Sequence, residues 1–514
     1  MLTETCRRIR VTKFFLILCF LKNRAAILRD AALFSSSRLI KGMKRTIIIT
    51  ILSTSLFSCC AQQSVIKSGD NNEKTIAFPG AEGFGKYTTG GRGGKVFIVS
   101  NLHDDGEGSL RKAVSGKEPA IVVFSISGTI HLLSPLTIKS NKTIAGQTAP
   151  GDGICIADHP VGLGGNNIVV RYLRFRLGDR YQNKGMVPGS GHDDAFGGNK
   201  RNNIIIDHCS FSWSTDECLS VYGGDSTTLQ WNLIAEPLNY SYHFEEGDKD
   251  FERHGYGGIW GGIHLSAHHN LFAHCVSRNP RFNGTRLGAE QELVDYRNNV
   301  IYNWGSNNVY GGEAGHYNVV NNYYKFGPST NKNVRYRIAN PSKTDVIPFG
   351  KWFVEGNFVD EAKAISKNNH LGVDMGNGGT ETDKKEAMMD KPFPAETIPV
   401  QTAAEAYEAV LRFAGASYKR DTLDERIIND VKNRTGRFID VQGGFPHGTP
   451  YDQTTNAWPA LRSFPAPTDT DQDGMPDDWE VKNHLNPNDP ADASKLNLNK
   501  HYTNIEVYIN SIVK

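Results

Sequence analysis

The chain has 514 residues, 22% of them charged and 39% hydrophobic, with a formal net charge of +2. That length suffices for one large core or for two to three domains. The composition excludes a disordered or fibrous chain, and the near-zero charge excludes the strongly basic surface of a nucleic-acid binder.

The charge is unevenly placed. Residues 1–60 hold 11 Lys/Arg and two acidic residues, Glu4 and Asp30, whereas the rest hold 46 basic and 53 acidic residues, a net of −7. Met43-Lys44-Arg45 opens a basic start, Thr46 to Phe57 is apolar, and Ser58-Cys59-Cys60-Ala61 follows. This is the layout of a secretory signal over 43–60, with Met43 as the true start and 1–60 as a leader. The apolar run is shorter than the roughly 20 residues a spanning helix needs, so the mature chain is expected to have no transmembrane span. Leu56-Phe57-Ser58-Cys59 also resembles a bacterial lipoprotein signal. Lipid anchoring and free secretion both stay open. Either way the protein is expected to be exported: secreted, periplasmic or an outer-membrane lipoprotein of a Gram-negative bacterium. Four cysteines remain in the body, Cys155, Cys209, Cys218 and Cys275. They have no zinc spacing, and their apolar neighbours predict buried free thiols.

From about 76 to 360, short β-branched runs recur between turn residues, and the domain they build is expected to span 76–400. Examples are NNIVVRYLRF (166–175), NNIIIDHCSF (202–211), STTLQWNLI (226–234), HLSAHHNLF (264–272) and KWFVEGNFV (351–359). The matched positions Cys209, Asn232, Asn270, Asn299, Asn322 and Asn357 lie 23, 38, 29, 23 and 35 residues apart. One strand type returning with variable insertions is a repeat signature. A sandwich would show strands every 8–12 residues or so, and a βαβ fold would place helices between them. The pattern predicts an all-β solenoid of parallel strands, a β-helix. The matched Asn residues are expected to form an internal ladder at a turn. Gly108 to Val114 reads as a short capping helix with Ser109 as its N-cap.

After about 400 the period changes. Residues 402–415 have helix spacing and a glycine stop, and 424–436 form a second helix. This helical and loop extension, 401–467, is expected to pack on the solenoid. A Pro-rich linker at Phe464-Pro465-Ala466-Pro467 leads to a last unit, 468–514. There DTDQDGMPDDWE (469–480) places Asp469, Asp471, Asp473, Asp477 and Glu480 at positions 1, 3, 5, 9 and 12, with Gly474 at position 6. That is EF-hand loop spacing and predicts bound Ca2+ in a structural role.

Two further groups carry chemistry. Gly191-His192-Asp193-Asp194 precedes the strand ending in Asp207-His208, and Ser214-Thr215-Asp216-Glu217 follows it. Carboxylates on neighbouring coils would stack only about 4.8 Å apart, and such closeness calls for a shared cation or proton. Ser277-Arg278-Asn279-Pro280-Arg281-Phe282 offers two arginines beside a rigid proline, suited to an acidic ligand. The pair His268-His269 lacks a third metal ligand and reads as packing.

Taken together, AFPGAEGFG (77–85), GSLRKAV (108–114), TIAGQTAPG (143–151), IIIDHCSFSWSTDE (204–217), HGYGGIWGG (254–262) and HHNLF…SRNPRF (268–282) resemble the pectate lyases of polysaccharide lyase family one. The resemblance covers roughly 76 to 465. The tail, with YTNIEVYINSIV (502–513), looks like that of Bacteroidetes-type members. It implies a right-handed parallel β-helix and β-elimination in the acidic polysaccharide polygalacturonate (pectate). The α-1,4 links would be cleaved to leave 4,5-unsaturated products. Removing the C5 proton builds charge on the adjacent carboxylate, which calcium and arginines would stabilise. Arg278 falls on the catalytic arginine, the proposed base. Arginine normally keeps its proton to a pKa above about 12, so that role demands a strongly cationic site.

Asp194 and Asp216 match calcium ligands. This chain departs from the family at three places. His192 stands where a second early Asp is expected, with Asp193 as its substitute, and Ser220 stands at the fourth carboxylate position. Asn283 stands at the second arginine, with Arg281 as the replacement carboxylate contact. Arg253 or His254 is the nearest counterpart of the substrate-binding lysine. A monomer is expected. The alternatives are a pectin lyase, a β-helix glycoside hydrolase using a carboxylate pair, and a non-catalytic polysaccharide-binding solenoid.

Overall fold

A computed structural model of the protein describes residues 74–287 and 291–513. The leader and signal expected over 1–60 lie outside the described residues. From Lys95 to Val359 the chain repeats one three-strand path, visible in Ala120–Phe124, Gly128–His131 and Leu136–Ile138, then in Lys142–Ala145, Ile154–Ala157 and Val161–Leu163. Each strand pairs with its equivalent one coil away, and every strand pairing among the described residues is parallel. The 12-residue strand Leu219–Gln230 bends from the third face into the first, so 17 strands form one continuous set and nine form the other. This is the expected parallel β-helix. Its last strand ends at Val359, well before 400. Two short helices, Lys363–Lys367 and Glu381–Ala387, follow.

The turn from the first face to the second is tight. It is made by a residue in the left-handed region followed by the matched position: His208 (φ 52) then Cys209, Trp231 (φ 56) then Asn232, His269 (φ 55) then Asn270. A turn this short leaves backbone N–H groups facing the interior. The Asn side chains satisfy them. The Oδ1 of Asn232, Asn270, Asn299, Asn322 and Asn357 each accepts from the backbone N of the matched residue one coil earlier, at 2.9–3.0 Å. Each Nδ2 from Asn232 to Asn322 donates to the next Oδ1 at 2.9–3.0 Å. All five residues are fully buried. The ladder ends on Asn369, in a 3₁₀ turn rather than a strand. Its Oδ1 accepts from Asn357 N at 2.8 Å, and its Nδ2 turns back to the Asn357 and Ile365 carbonyls.

Inside the solenoid, like stacks on like. Phe175 and Phe211 lie parallel at 5.2 Å, and Phe282 and Tyr317 at 4.7 Å. The four cysteines are buried and free, and burial pushes the Cys155 and Cys218 thiols up to about 12. The N-terminal end carries the predicted helix, Leu110–Ser115, whose N-cap Ser109 accepts from Lys112 N.

The helices Ala403–Phe413 and Thr422–Asn433 lie on the nine-stranded face. Val410, Leu411, Leu423 and Ile427 pack there against Leu233, Leu271, Val300 and Tyr302. Buried ion pairs fix the contact: Arg176 reaches Asp421 at 2.7 Å and Asp424 at 3.0 Å.

Replacing Asn299 with alanine leaves the Asn270 N–H buried without its acceptor and removes the rung's side-chain bonds to Asn322 and the Ala267 carbonyl. Each such loss costs about 1–3 kcal/mol. Urea unfolding of N299A is expected to show a lower midpoint at an unchanged slope. A midpoint equal to that of the wild type would refute the structural role assigned to the ladder.

Candidate active site

The third face forms the floor of a cleft of about 480 Å³ that includes Gly162, Asp194, Gly197, Asp216, Glu217 and Arg278. Gly197 keeps that floor open, since a Cβ there would lie 2.9 Å from Asp194 Oδ2. Arg278 comes from the turn before the strand Arg281–Phe282, with φ 56.

Three carboxylates meet in this cleft. Asp194, Asp216 and Glu217 each bring an oxygen within 4.8 Å of the others. Asp194 Oδ1 also accepts from Glu217 N at 2.9 Å. Arg278 ion-pairs closely with Glu217, stands 3.8 Å from Asp216, and lies over the Tyr256 ring at 4.4 Å. His254 Nε2 is 2.7 Å from Asp216 Oδ1, and its Nδ1 is 3.2 Å from Glu252 Oε2. His243 stacks on His254 at 3.8 Å, and His192 stacks on His243 at 4.5 Å.

Electrostatics follow from this packing. Burial and then the Asp216 charge push Asp194 well above the usual carboxylate range. Burial also opposes ionisation of Asp216, but the His254 hydrogen bond and the nearby positive charges hold it below that range. Burial disfavours the charged form of His254, yet its bonds to Asp216 and Glu252 raise its pKa. Burial and the His254 charge lower His243 to about 4. The His254 contact thus favours the ionised form of Asp216, and Asp216 in turn favours the charged form of His254.

The predicted residues divide. Arg278, Asp194, Asp216 and His254 come together. Asp193 does not stand in for the missing acid: its Oδ2 accepts from Gln182 Nε2 at 2.9 Å. Glu217 is the third acid in the cleft, and Ser220 Oγ accepts from Ile259 N at 3.1 Å. Arg281 is held by Glu313 at 2.7 Å, under Tyr310. Asn283 turns inward, its Nδ2 2.7 Å from the Gly284 carbonyl. Arg253 lies over Tyr240 at 4.5 Å, outside the cleft. Asp207 is buried against Arg171 at 2.8 Å. His268 and His269 pack, with His269 stacked on Trp231 at 4.1 Å.

Sequence reasoning named Glu217 in the acidic run without giving it a role, and missed Tyr256 and His243. Glu217 neighbours Asp216, and in an extended strand the two would point to opposite faces. Here Thr215 and Asp216 form a bend before Glu217 pairs with Tyr256, and both acids reach the cleft.

In the C-terminal unit Asp469, Asp471 and Asp473 converge, as do Asp473, Glu480 and Asp492. Asp477 leaves the cluster, its carboxylate accepting from Thr470 N and Oγ1 at 2.8 and 2.7 Å. As position 9 of the loop it was expected to be a ligand. It serves instead as a local brace, because Thr470 presents two donors to it.

A carboxylate triad and an arginine thus share one cleft on a parallel β-helix. No family model matches the sequence. "Probable pectate lyase C" of Aspergillus flavus is 36% identical over 450 residues, 85% of this chain and 94% of the relative. The protein of that name from Aspergillus terreus is 35% identical over 449 residues, with the same coverage. A solved pectate lyase bound to hexasaccharide is 15% identical, covers 68% of this chain and 99% of its own, and has a TM-score of 0.42. The chain belongs to the pectate lyase family. These two relatives are fungal.

Behind the arginine strand lies Glu292, fully buried, which accepts from Gly284 N at 2.7 Å, Gly262 N at 3.0 Å and Tyr317 Oη at 2.8 Å. Burial raises it to about 7 against those bonds. The unfolded chain releases this proton near its ordinary pKa of about 4.3. The stability present below that pH is therefore lost as pH rises through about 7, on the order of 3 kcal/mol in all. Glu292→Gln is expected to flatten the fall in Tm between pH 5 and 8. A variant whose Tm falls as steeply as the wild type contradicts the assignment.

Proposed function

We propose that the protein cleaves α-1,4-linked polygalacturonate by β-elimination, with Arg278 at the reacting centre and Asp194, Asp216 and Glu217 as the calcium-holding set. The observation that carries this reading is the close approach of Arg278 to that triad on the cleft floor. Three carboxylates converging on one point make a hard, all-oxygen donor set, which suits calcium. When bound, calcium supplies positive charge that offsets the negative charge building on the substrate carboxylate.

The chain's own residues do the rest. Arg278 is aimed by its contact with Tyr256 and by the left-handed turn that presents it. Once its guanidinium has released a proton to solvent, the neutral Arg278 takes the C5 proton; the C5–H electrons form the C4–C5 double bond. The C4–O bond breaks onto the leaving glycosidic oxygen, which is then protonated. His254 keeps Asp216 ionised, so the triad retains its affinity for a cation. The body is acidic, with net −7 beyond residue 60. Attraction to an acidic polymer must therefore be local, through a bridging cation and Arg278.

Export is part of the same reading, because the polymer is extracellular and residues 43–60 have the layout of a signal. Among the described residues no helix is long and apolar enough to cross a membrane. The reading takes in either lipid attachment at Cys59 or free secretion, together with a Bacteroidetes-type tail and a monomeric chain.

The test is ultraviolet absorbance of unsaturated uronides released from polygalacturonate. Activity is expected with calcium and not with chelator. Arg278→Ala should reduce kcat by about 10³-fold or more, while Glu217→Gln should raise the calcium needed for half-maximal rate. Undiminished turnover in R278A overturns the assignment.

A further inference from the structure

The C-terminal unit holds a second carboxylate cluster, which shares no residue with the cleft just described. Five carboxylate oxygens there are buried without a hydrogen-bond partner: Asp471 Oδ2, Asp473 Oδ2, both oxygens of Glu480 and Asp492 Oδ1. Glu480 is 0% exposed and Asp473 only 3%. A buried, unpaired carboxylate is costly, and here several converge within 4.8 Å.

We propose that Asp469, Asp471, Asp473, Glu480 and Asp492 form a calcium site that clamps the C-terminal tail onto the first coils of the solenoid. Asp492 lies outside the twelve-residue loop and takes the place its sequence spacing gave to Asp477. All donors are carboxylate oxygens, and five unpartnered oxygens leave room for water in a six- to eight-fold shell. Burial, then mutual charge, raises Asp473 to about 7 and Glu480 to about 8, which reports the same crowding.

The clamp follows from what the loop touches. Gly474 sits directly after Asp473 with φ +91. A Cβ there would meet Val96 Cγ1 at 2.9 Å and Val123 Cγ2 at 3.1 Å. Next, Met475 is fully buried with Ile121, Val123, Ala145, Ile505 and Ile509. The ligand loop is thus seated on the strands Lys95–Val99 and Ala120–Phe124. Asp492 opens the turn beside Ala493, and its carbonyl accepts from Asn504 Nδ2 at 2.9 Å. Asn504 begins the last helix, Asn504–Ile512, whose Glu506 pairs with Arg92 at 2.8 Å. One cation held by the loop and by Asp492 therefore ties the 469–480 loop, the last helix and the first coils together.

The probe is calcium alone, titrated without substrate into chelator-treated full-length protein. Expected are a calcium-dependent rise in Tm, protection of the 464–468 linker from protease, and terbium emission sensitised by Trp479 that calcium displaces. Glu480→Gln and Asp492→Asn should each lose one bound calcium per chain and these three responses, while Asp477→Asn keeps them. Turnover of E480Q at saturating calcium and low temperature should stay within about two-fold of wild type, so failure here is separable from failure of the lyase reading. Unchanged stoichiometry in both E480Q and D492N overturns the proposal, as does loss in D477N with retention in D492N. If E480Q does not fold, wild-type terbium decides: absence of calcium-displaceable emission overturns it.

Discussion

The structure depends on one constraint. Parallel coils stack at about 4.8 Å, so whatever side chain a coil places at a given position lies against its counterpart above and below. For groups that both donate and accept this is favourable, and the Asn ladder is the result. For aromatic rings it gives stacks such as Phe282 on Tyr317. For carboxylates it is unfavourable unless a cation intervenes. Asp207 meets the constraint with Arg171 one coil away, and the pair is buried and inert. Asp194 and Asp216, set at the cleft, are offset chiefly by Arg278 and His254. A spacing that stabilises the scaffold thus also concentrates negative charge where a cation and an acidic polymer would meet.

Much of the scaffold was legible because its signals are local and repeated. The returning strands, the matched Asn positions, the Ser109 cap and the glycine-stopped helix at 403–413 all appear at the expected places. Asn369 was not foreseen, since it comes from a 3₁₀ turn without the strand pattern that marks the other rungs. The end of the solenoid at Val359 was overestimated for a related reason: 360–400 lacks the helix periodicity that would have marked the change.

The cleft was only half legible. Arg278, Asp194 and Asp216 are named by motif, but partner choice depends on contacts between coils. Arg281 was expected to face an acidic ligand, and Glu313, on a later coil, claims it instead. Asn283 is similarly drawn inward beside Glu292. Asp193 and Asp194 are adjacent in sequence, yet Gln182 captures one while the cleft takes the other. Glu217 joins the cleft through a bend that no alternation rule anticipates. Linear spacing gives the candidates, and the long-range neighbours select among them.

The way the Asn ladder closes bears on assembly. A stack of parallel coils is a template with two open ends, and an open end can recruit another chain. At the C-terminal end Asn369 accepts from the last rung, but its own amide is turned back onto the Asn357 and Ile365 carbonyls. It offers no donor to a further coil. The same residue that completes the interior hydrogen bonding therefore acts as the ladder's terminator, giving a row of amides built by repetition a definite last rung.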